Sequence, residues 1–494
     1  MPAASLIAFT PELRPSLPPI CASKDYAQWR EQLERMDLLL PPLERRLTEE
    51  LLGSWLKANP EASTRQQQTF ERTVLSAIRS NLVRALTRLD YRELSVQLAD
   101  SRLLQWFCRL ELIDGIKAPS KSTLQRYDSL IGESYISAQI HLWLAKLANP
   151  ATLQITRDPL DFDTVFMDTT CLRTNIHFPV DWVLLRDATR TLVKAILVIR
   201  SHGLHHRMPE AESFISEMNR LCIEMTHARG STEAKKERKR VLRAMKKLLK
   251  VVQGHAERYQ ELLLANWKAE TDLSQKEVQQ IVGRIEGVLE QLPQAVKQAH
   301  ERIIGERQVD NADKILSLYE TDTRVMVRRK AGADVEFGNK LFLAETVEGF
   351  IVDWDLYRDS VPADTRLLKP SVERVENKLN IKIQAAVTDR GFDSEENRRF
   401  LKREEIFNGI CPRDPAILKQ RMEEEEFGAL QKRRSQTEGR IGIFKNVFLG
   451  RPMRAKGFEN RKRSLAWAVL AHNLWVVVRM EWKEEALTPQ PKAA

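Results

Sequence analysis

From residue 182 to about residue 307 the chain keeps apolar residues at helical spacing with few glycines or prolines, yet β-prone runs stand on both sides. Thr164-Val-Phe-Met-Asp168-Thr-Thr170 precedes the stretch, and residues 323–328 and 337–344 follow it. One bundle cannot accommodate those strands, and one sheet cannot accommodate so many helices. The spacing therefore predicts a helical insertion, residues 181–319, inside a mixed α/β domain. Its Leu248, Leu249, Val252, Leu262 and Leu263 form a buried stripe, while Ala234-Lys-Lys-Glu-Arg-Lys-Arg240 and the residues to Lys250 are strongly basic. That basic run reads either as a solvated helix face or as a phosphate-contacting one.

With the insertion set aside, the order is strand (164–170), strand (323–328), strand (337–344) and strand (349–357), with Glu348-Gly349 as a hairpin turn. Helix (364–379), strand (381–389), helix (394–401), strand (406–411) and helix (421–446) complete it. Upstream, residues 26–150 read as an all-α domain behind an arm, 1–25, whose first 24 residues hold five of the 21 prolines. Pro119-Ser-Lys121-Ser-Thr-Leu124 reads as the turn and N-cap of a helix carrying Gln125 and Arg126. Helix, turn and basic helix suit a DNA major-groove reader, although helical bundles show the same pattern. Residues 451–494 read as a C-terminal helix and tail.

Lys and Arg outnumber Asp and Glu by 78 to 68, a formal charge of +10 and a pI near 9.3, which favours polyanionic partners. Cys21, Cys108, Cys171, Cys222 and Cys411 are scattered without CxxC spacing, so neither a zinc site nor a disulfide framework is expected, and a reducing cytoplasm is the natural setting. The first ten residues lack the features of a signal peptide. The apolar run 465–478 is shorter than the ~20 residues of a spanning helix and contains His472 and Asn473, so it is expected as a buried helix. No GxxxxGK[ST] loop argues for ATP. His202, His205 and His206 lack a matching ligand set, and His472 reads as a packing residue.

Three carboxylates stand out. Asp168 and Asp389 each end a predicted strand, and Gly391 permits a sharp exit after the second. Either alone could be an ordinary turn residue. Arg434, Glu438 and Lys445 follow at intervals of four and seven, which brings them to roughly one helical face amid Lys432, Arg433 and Arg440. Glu423 to Glu426 read instead as a solvated patch near the helix start. Carboxylates gathered at strand ends suit two-metal phosphoryl transfer.

These motifs resemble those of bacterial insertion-sequence DDE transposases, similar to the ISNCY group, with a ribonuclease-H-like core. The residues that carry the resemblance are Tyr91-Arg-Glu-Leu, Pro119-Ser-Lys-Ser-Thr-Leu, Met167-Asp168-Thr-Thr, Glu336-Phe-Gly-Asn-Lys340, Thr388-Asp389-Arg-Gly-Phe, Glu438-Gly-Arg440 and Ala471-His-Asn-Leu-Trp475. The resemblance implies a core over 160–180 and 320–450 in which Asp168, Asp389 and Glu438 bind two Mg²⁺ ions, with Mn²⁺ as a substitute. It further implies water-driven cleavage at transposon ends, attack of the freed 3′-hydroxyl on target DNA, phosphate contacts from Arg434, Arg440, Lys445 and Lys340, and end recognition by the helical domain through Lys121 and Arg126. A dimer on paired DNA ends at the bacterial nucleoid, with no membrane association, belongs to the same expectation. Gln431 stands where relatives carry a tyrosine, a departure from the pattern. Two other readings remain open: an inactive or domesticated DNA-binding descendant, and a structure-selective nuclease that cuts without joining.

Overall fold

The computed structural model describes residues 17, 22–112, 115–149, 156–158, 160–228, 232–330, 333–359 and 361–482. The chain begins with α1 (Lys24–Leu39), α2 (Pro41–Ala58), α3 (Thr64–Thr87), α4 (Tyr91–Asp100) and α5 (Arg102–Phe107). A small hairpin, β1 (Glu111–Leu112) and β2 (Gly115–Ile116), leads to α6 (Lys121–Leu130) and α7 (Glu133–Ala148). The starts follow local chemistry: Asp90 and Glu93 form a reciprocal capping box on α4, and the Ser120 hydroxyl accepts the Thr123 N–H to begin α6.

Next come β3 (Thr164–Arg173), the helices α8 (Asp181–Ser201), α9 (Ala211–His227), α10 (Thr232–Glu270) and α11 (Gln275–Ala299), a π-helical turn (His300–Ile304) and β4 (Arg324–Lys330). Beyond them lie β5 (Ala333–Glu345), β6 (Ile351–Tyr357), α12 (Leu368–Leu379), β7 (Ala385–Thr388), α13 (Glu395–Arg403) and β8 (Phe407–Ile410). Finally α14 (Pro415–Arg421) and α15 (Glu425–Ile443) lead through a π-helical segment (Phe444–Leu449) to α16 (Phe458–Val478).

Two compact units result. The first comprises residues 1–172 and 340–494. Its sheet runs β5-β3-β7-β8, with β6 antiparallel to Lys340–Glu345 of β5 and the β3, β7 and β8 strands parallel. One hydrophobic core joins the N-terminal helices, through Leu33, Ile78 and Leu144, to Val165 and Met167 of β3 and to Trp467 and Leu474 of α16. No described helix is long and apolar enough to cross a membrane, and α16 is buried in this core. Asn473 explains part of its polarity: the side-chain amide accepts from Ile351 N and donates to Ile351 O, satisfying an otherwise buried strand end.

Residues 173–339 form the second unit. Helices α8 to α11 pack around Leu192, Met218, Leu249 and Ile285, as the periodicity required. Residues 333–338 of β5 pair antiparallel with β4 inside this unit.

Several expected boundaries need correction. Asp168 does not end its strand, because β3 continues to Arg173. The strand expected over 381–389 is confined to β7, since the backbone N–H groups of Ile383 and Gln384 bond to the Glu376 side chain and the Asp163 carbonyl instead of a strand ladder. The single helix expected over 421–446 breaks after Arg421, whose guanidinium caps the Asn408 carbonyl and lies 4.0 Å from the centre of the Phe427 ring. A new helix then starts beyond Glu424 and ends in a π-helical turn.

Candidate active site

The parallel pairing of β3 with β7 is registered Thr164 to Ala385 through Met167 to Thr388. Asp168 on β3 and Asp389, the residue just beyond β7, each follow the last registered pair, so the register brings them side by side. Register, not chain proximity, makes them neighbours.

Asp389 caps a short 3₁₀ turn (Arg390–Phe392), its Oδ1 accepting the Gly391 N–H at 2.8 Å. A Cβ on residue 391 would lie 2.9 Å from that oxygen and 3.0 Å from Asp364 Oδ2, which explains the glycine. Asp168 Oδ1 accepts the Thr169 N–H at 2.6 Å. Burial, then the Asp389 charge, push its carboxyl up to about 6; Glu438 adds to that push, while the Thr169 N–H and the Arg434 charge oppose it.

A folded-state value raised in this way means that folding favours protonated Asp168. Its stabilising contribution is complete below about pH 4 and is lost as pH rises through 6. Asp168→Asn is therefore expected to raise stability by about 3 kcal/mol at pH 7.5 and by much less at pH 4. Thermal melts in chelator at both pH values check it; equal shifts at both would contradict the charge explanation.

Strand alternation puts Phe166, Asp168 and Thr170 on one face of β3. That face meets α15 and its continuation. The Arg433 guanidinium lies 4.5 Å from the Phe166 ring centre, the Arg434 and Glu438 charges act on Asp168, and Lys445 Nζ donates to Thr170 Oγ1 at 2.9 Å. The helix is fixed by bonds to a neighbouring turn: Arg433 and Arg440 donate to the Val347 carbonyl at 2.8 and 3.0 Å, and Thr437 donates to Glu345 Oε1 at 2.8 Å. His472 Nε2 donates to the Gly349 carbonyl at 3.0 Å on the same turn. Burial holds His472 down to about 4, so the ring is neutral there and packs against Phe444 and Phe448. Gly349 has φ +99°, and any Cβ there would strike Arg440.

Gln431 has a definite task. Its amide donates to the Gly409 carbonyl at 2.6 Å and to the Thr388 carbonyl at 3.4 Å, tying α15 to the ends of β8 and β7 beside Asp389.

Two expected phosphate contacts are buried and bonded internally. Lys340 Nζ pairs with Asp364 Oδ1 at 2.5 Å and donates to the Pro362 carbonyl, and Lys445 is bonded as above. Lys121 and Arg126, by contrast, are exposed on α6. Behind them Asp128 is buried between Arg84 and Arg463, which locks α6 to α3 and α16.

Asp364 is a residue the sequence did not single out. Besides Lys340 it accepts the Thr169 hydroxyl at 3.1 Å, so it contacts the residue next to Asp168 and flanks the Asp389 turn. Only its position at the start of the expected helix 364–379 was visible, and many aspartates share that.

Glu438 is exposed on α15. Among the described residues no cluster of three or more His, Cys, Asp or Glu side chains is arranged to hold a metal ion. The donor chemistry nevertheless suits a hard divalent cation: oxygen ligands only, and like charges from Asp389 and Glu438 crowding Asp168. In the second unit, His202 pairs with Asp272 and His206 packs on Tyr259.

Residues 328–474 match the family model described as "Transposase DDE domain". The match includes Asp389 and Glu438 and begins after Asp168. No curated protein and no solved structure matches the chain.

Proposed function

We propose that this protein, whose residues 328–474 match the model of a transposase DDE domain, cuts DNA at the ends of its mobile element and joins them to target DNA. The observation that supports this most is the β3/β7 register, which sets Asp168 beside Asp389 beneath the helix bearing Glu438. Parallel strands of this kind, with a glutamate-bearing helix across them, fit a ribonuclease-H-like core.

Asp168, Asp389 and Glu438 would hold two Mg²⁺ or Mn²⁺ ions, with Glu438 reaching in by side-chain rotation. Bound ions supply Lewis acidity, activating the attacking oxygen and stabilising the leaving one. The protein's own groups do the positioning. Arg434, whose charge already acts on Asp168, would hold the scissile phosphate, and Lys445 would support the same face. Arg440 and Lys340 would reach phosphate only by exchanging their bonds to Val347 and Asp364. Lys121 and Arg126 on α6 would read the terminal repeats, with two protomers on paired ends at the nucleoid.

Labelled duplexes made from the DNA flanking the gene, incubated with the protein and Mg²⁺, test the reading. Cleavage followed by joining is expected. Cleavage without joining would make the protein a structure-selective nuclease, and binding without cleavage in Mg²⁺ or Mn²⁺ would make it a non-catalytic DNA-binding protein.

A further inference from the structure

The second unit has an open cleft of about 760 Å³ between the start of α10, the π-helical turn and the segment that follows it. Cations dominate its lining: Lys235, Arg238, Arg302, Arg307 and Lys314 against the carboxylates of Glu306 and Asp310. Most of these charges have structural partners. Arg302 is bonded to both oxygens of Asp181, Arg307 to Glu301, and Asp310 accepts the N–H of Ala312 in its own turn. Glu306 must serve two lysines, at 3.4 Å from Lys235 and 2.7 Å from Lys239.

Arg238 is different. Its guanidinium lies 5.1 Å from the centre of the Trp182 ring, and its Nε is buried with no hydrogen-bond partner. It has no ion pair or hydrogen bond among the described residues. Among the described residues Lys314 has only the neutral side-chain amide oxygen of Asn311, Oδ1, at 2.6 Å. A buried, unbonded guanidinium N–H costs stability unless an anion meets it. The Trp182 ring beside the guanidinium also favours a cation at that place.

We propose that this cleft binds the DNA phosphate backbone, with Arg238 as the anchoring donor and Lys314 as the second cation. Choosing DNA over another polyanion rests on the transposase reading; the anion site itself rests on the cleft. The cleft is open to the surface, so a continuous strand can pass through it. No base-reading group is invoked, and binding there is indifferent to sequence.

The test is fluorescence anisotropy of the full-length protein with a labelled duplex of unrelated sequence over a salt series. Each lost phosphate contact lowers the steepness of log affinity against log salt by about 0.9. Arg238→Gln should shallow the slope by about 1, the Arg238→Gln/Lys314→Gln pair by about 2, and affinity near 0.1 M salt should fall about fivefold per substitution. Lys276→Gln, an exposed lysine of α11 outside the cleft lining, removes equal charge and should change little. Arg238→Lys, which keeps the charge but not the fork, should fall between wild type and Arg238→Gln and guards against a folding defect. Slopes for Arg238→Gln and Lys276→Gln that coincide while the wild type binds DNA would overturn the cleft and leave the transposase reading intact. Absence of DNA binding by the wild type would overturn that reading instead.

Discussion

Asp389→Asn should reduce single-turnover cleavage of end DNA at least ~10³-fold, equivalent to about 4 kcal/mol of lost transition-state stabilisation. The substitution isolates charge from fold. Asparagine keeps an oxygen for the Gly391 N–H and needs no more room beside Asp364, so the 3₁₀ turn and the β7 exit should persist. What disappears is one of two anionic side chains brought side by side by the register. Glu438→Gln should lose activity on a similar scale, because its charge is the one that α15 brings to Asp168. Full strand transfer by Glu438→Gln would mean that another glutamate does the work; unchanged cleavage by Asp389→Asn would remove the two-carboxylate basis of the mechanism. DNA affinity measured alongside should stay near wild type.

Arg79→Met is expected to destabilise the first unit by about 3–5 kcal/mol. Arg79 is wholly buried on α3, where its guanidinium bonds Glu44, Asp37 and the Phe107 carbonyl and stacks 5.2 Å from the Phe107 ring centre. Burial alone would lower its proton affinity, but the Glu44 and Asp37 charges outweigh that and raise it. Methionine fills much of the space but leaves Glu44, itself buried, without its main countercharge. Urea titration followed by tryptophan fluorescence reads the change. A loss under 1 kcal/mol would show that the remaining Arg109 contact to Glu44, at 3.7 Å, is sufficient. Adding Glu44→Gln to Arg79→Met should restore part of the stability, since the orphaned charge goes with it.

Long periodic stretches were legible because nothing competes with their pattern. The insertion is the best case, with α8 to α11 following the apolar spacing almost to their ends. Short strands were harder. The run 164–170 reads as a strand closing on Asp168, yet the β-branched Thr169 and Thr170 also continue a strand, and β3 runs on to Arg173. At Gln384 the backbone partner, the Asp163 carbonyl, lies far along the chain, and at Ile383 it is a side chain on the preceding helix, Glu376, which no strand pattern marks.

The site shows the same division. Asp168, Asp389 and Glu438 could be nominated from sequence because a carboxylate in or just after a β-prone run, or on a helix face, leaves a local pattern. Asp364 and the bonds of Gln431 could not, since each is defined by partners more than 20 residues away. Gln431 also shows the limit of alignment by spacing: a side chain that differs from the tyrosine of relatives has its own hydrogen bonds to the backbone next to Asp389.

The second unit begins and ends at touching points: Arg173 pairs with Glu336, and the Thr174 N–H bonds the Phe337 carbonyl. A segment whose ends meet adds little chain-closure entropy to the protein that hosts it, however long it grows. Its 167 residues, 173–339, can therefore be acquired or discarded as one cassette, with a short reverse turn left in their place. Evolutionary change in chain length should come as the whole block, while partial deletions, which would strip α8 to α11 of their shared core, should be rejected.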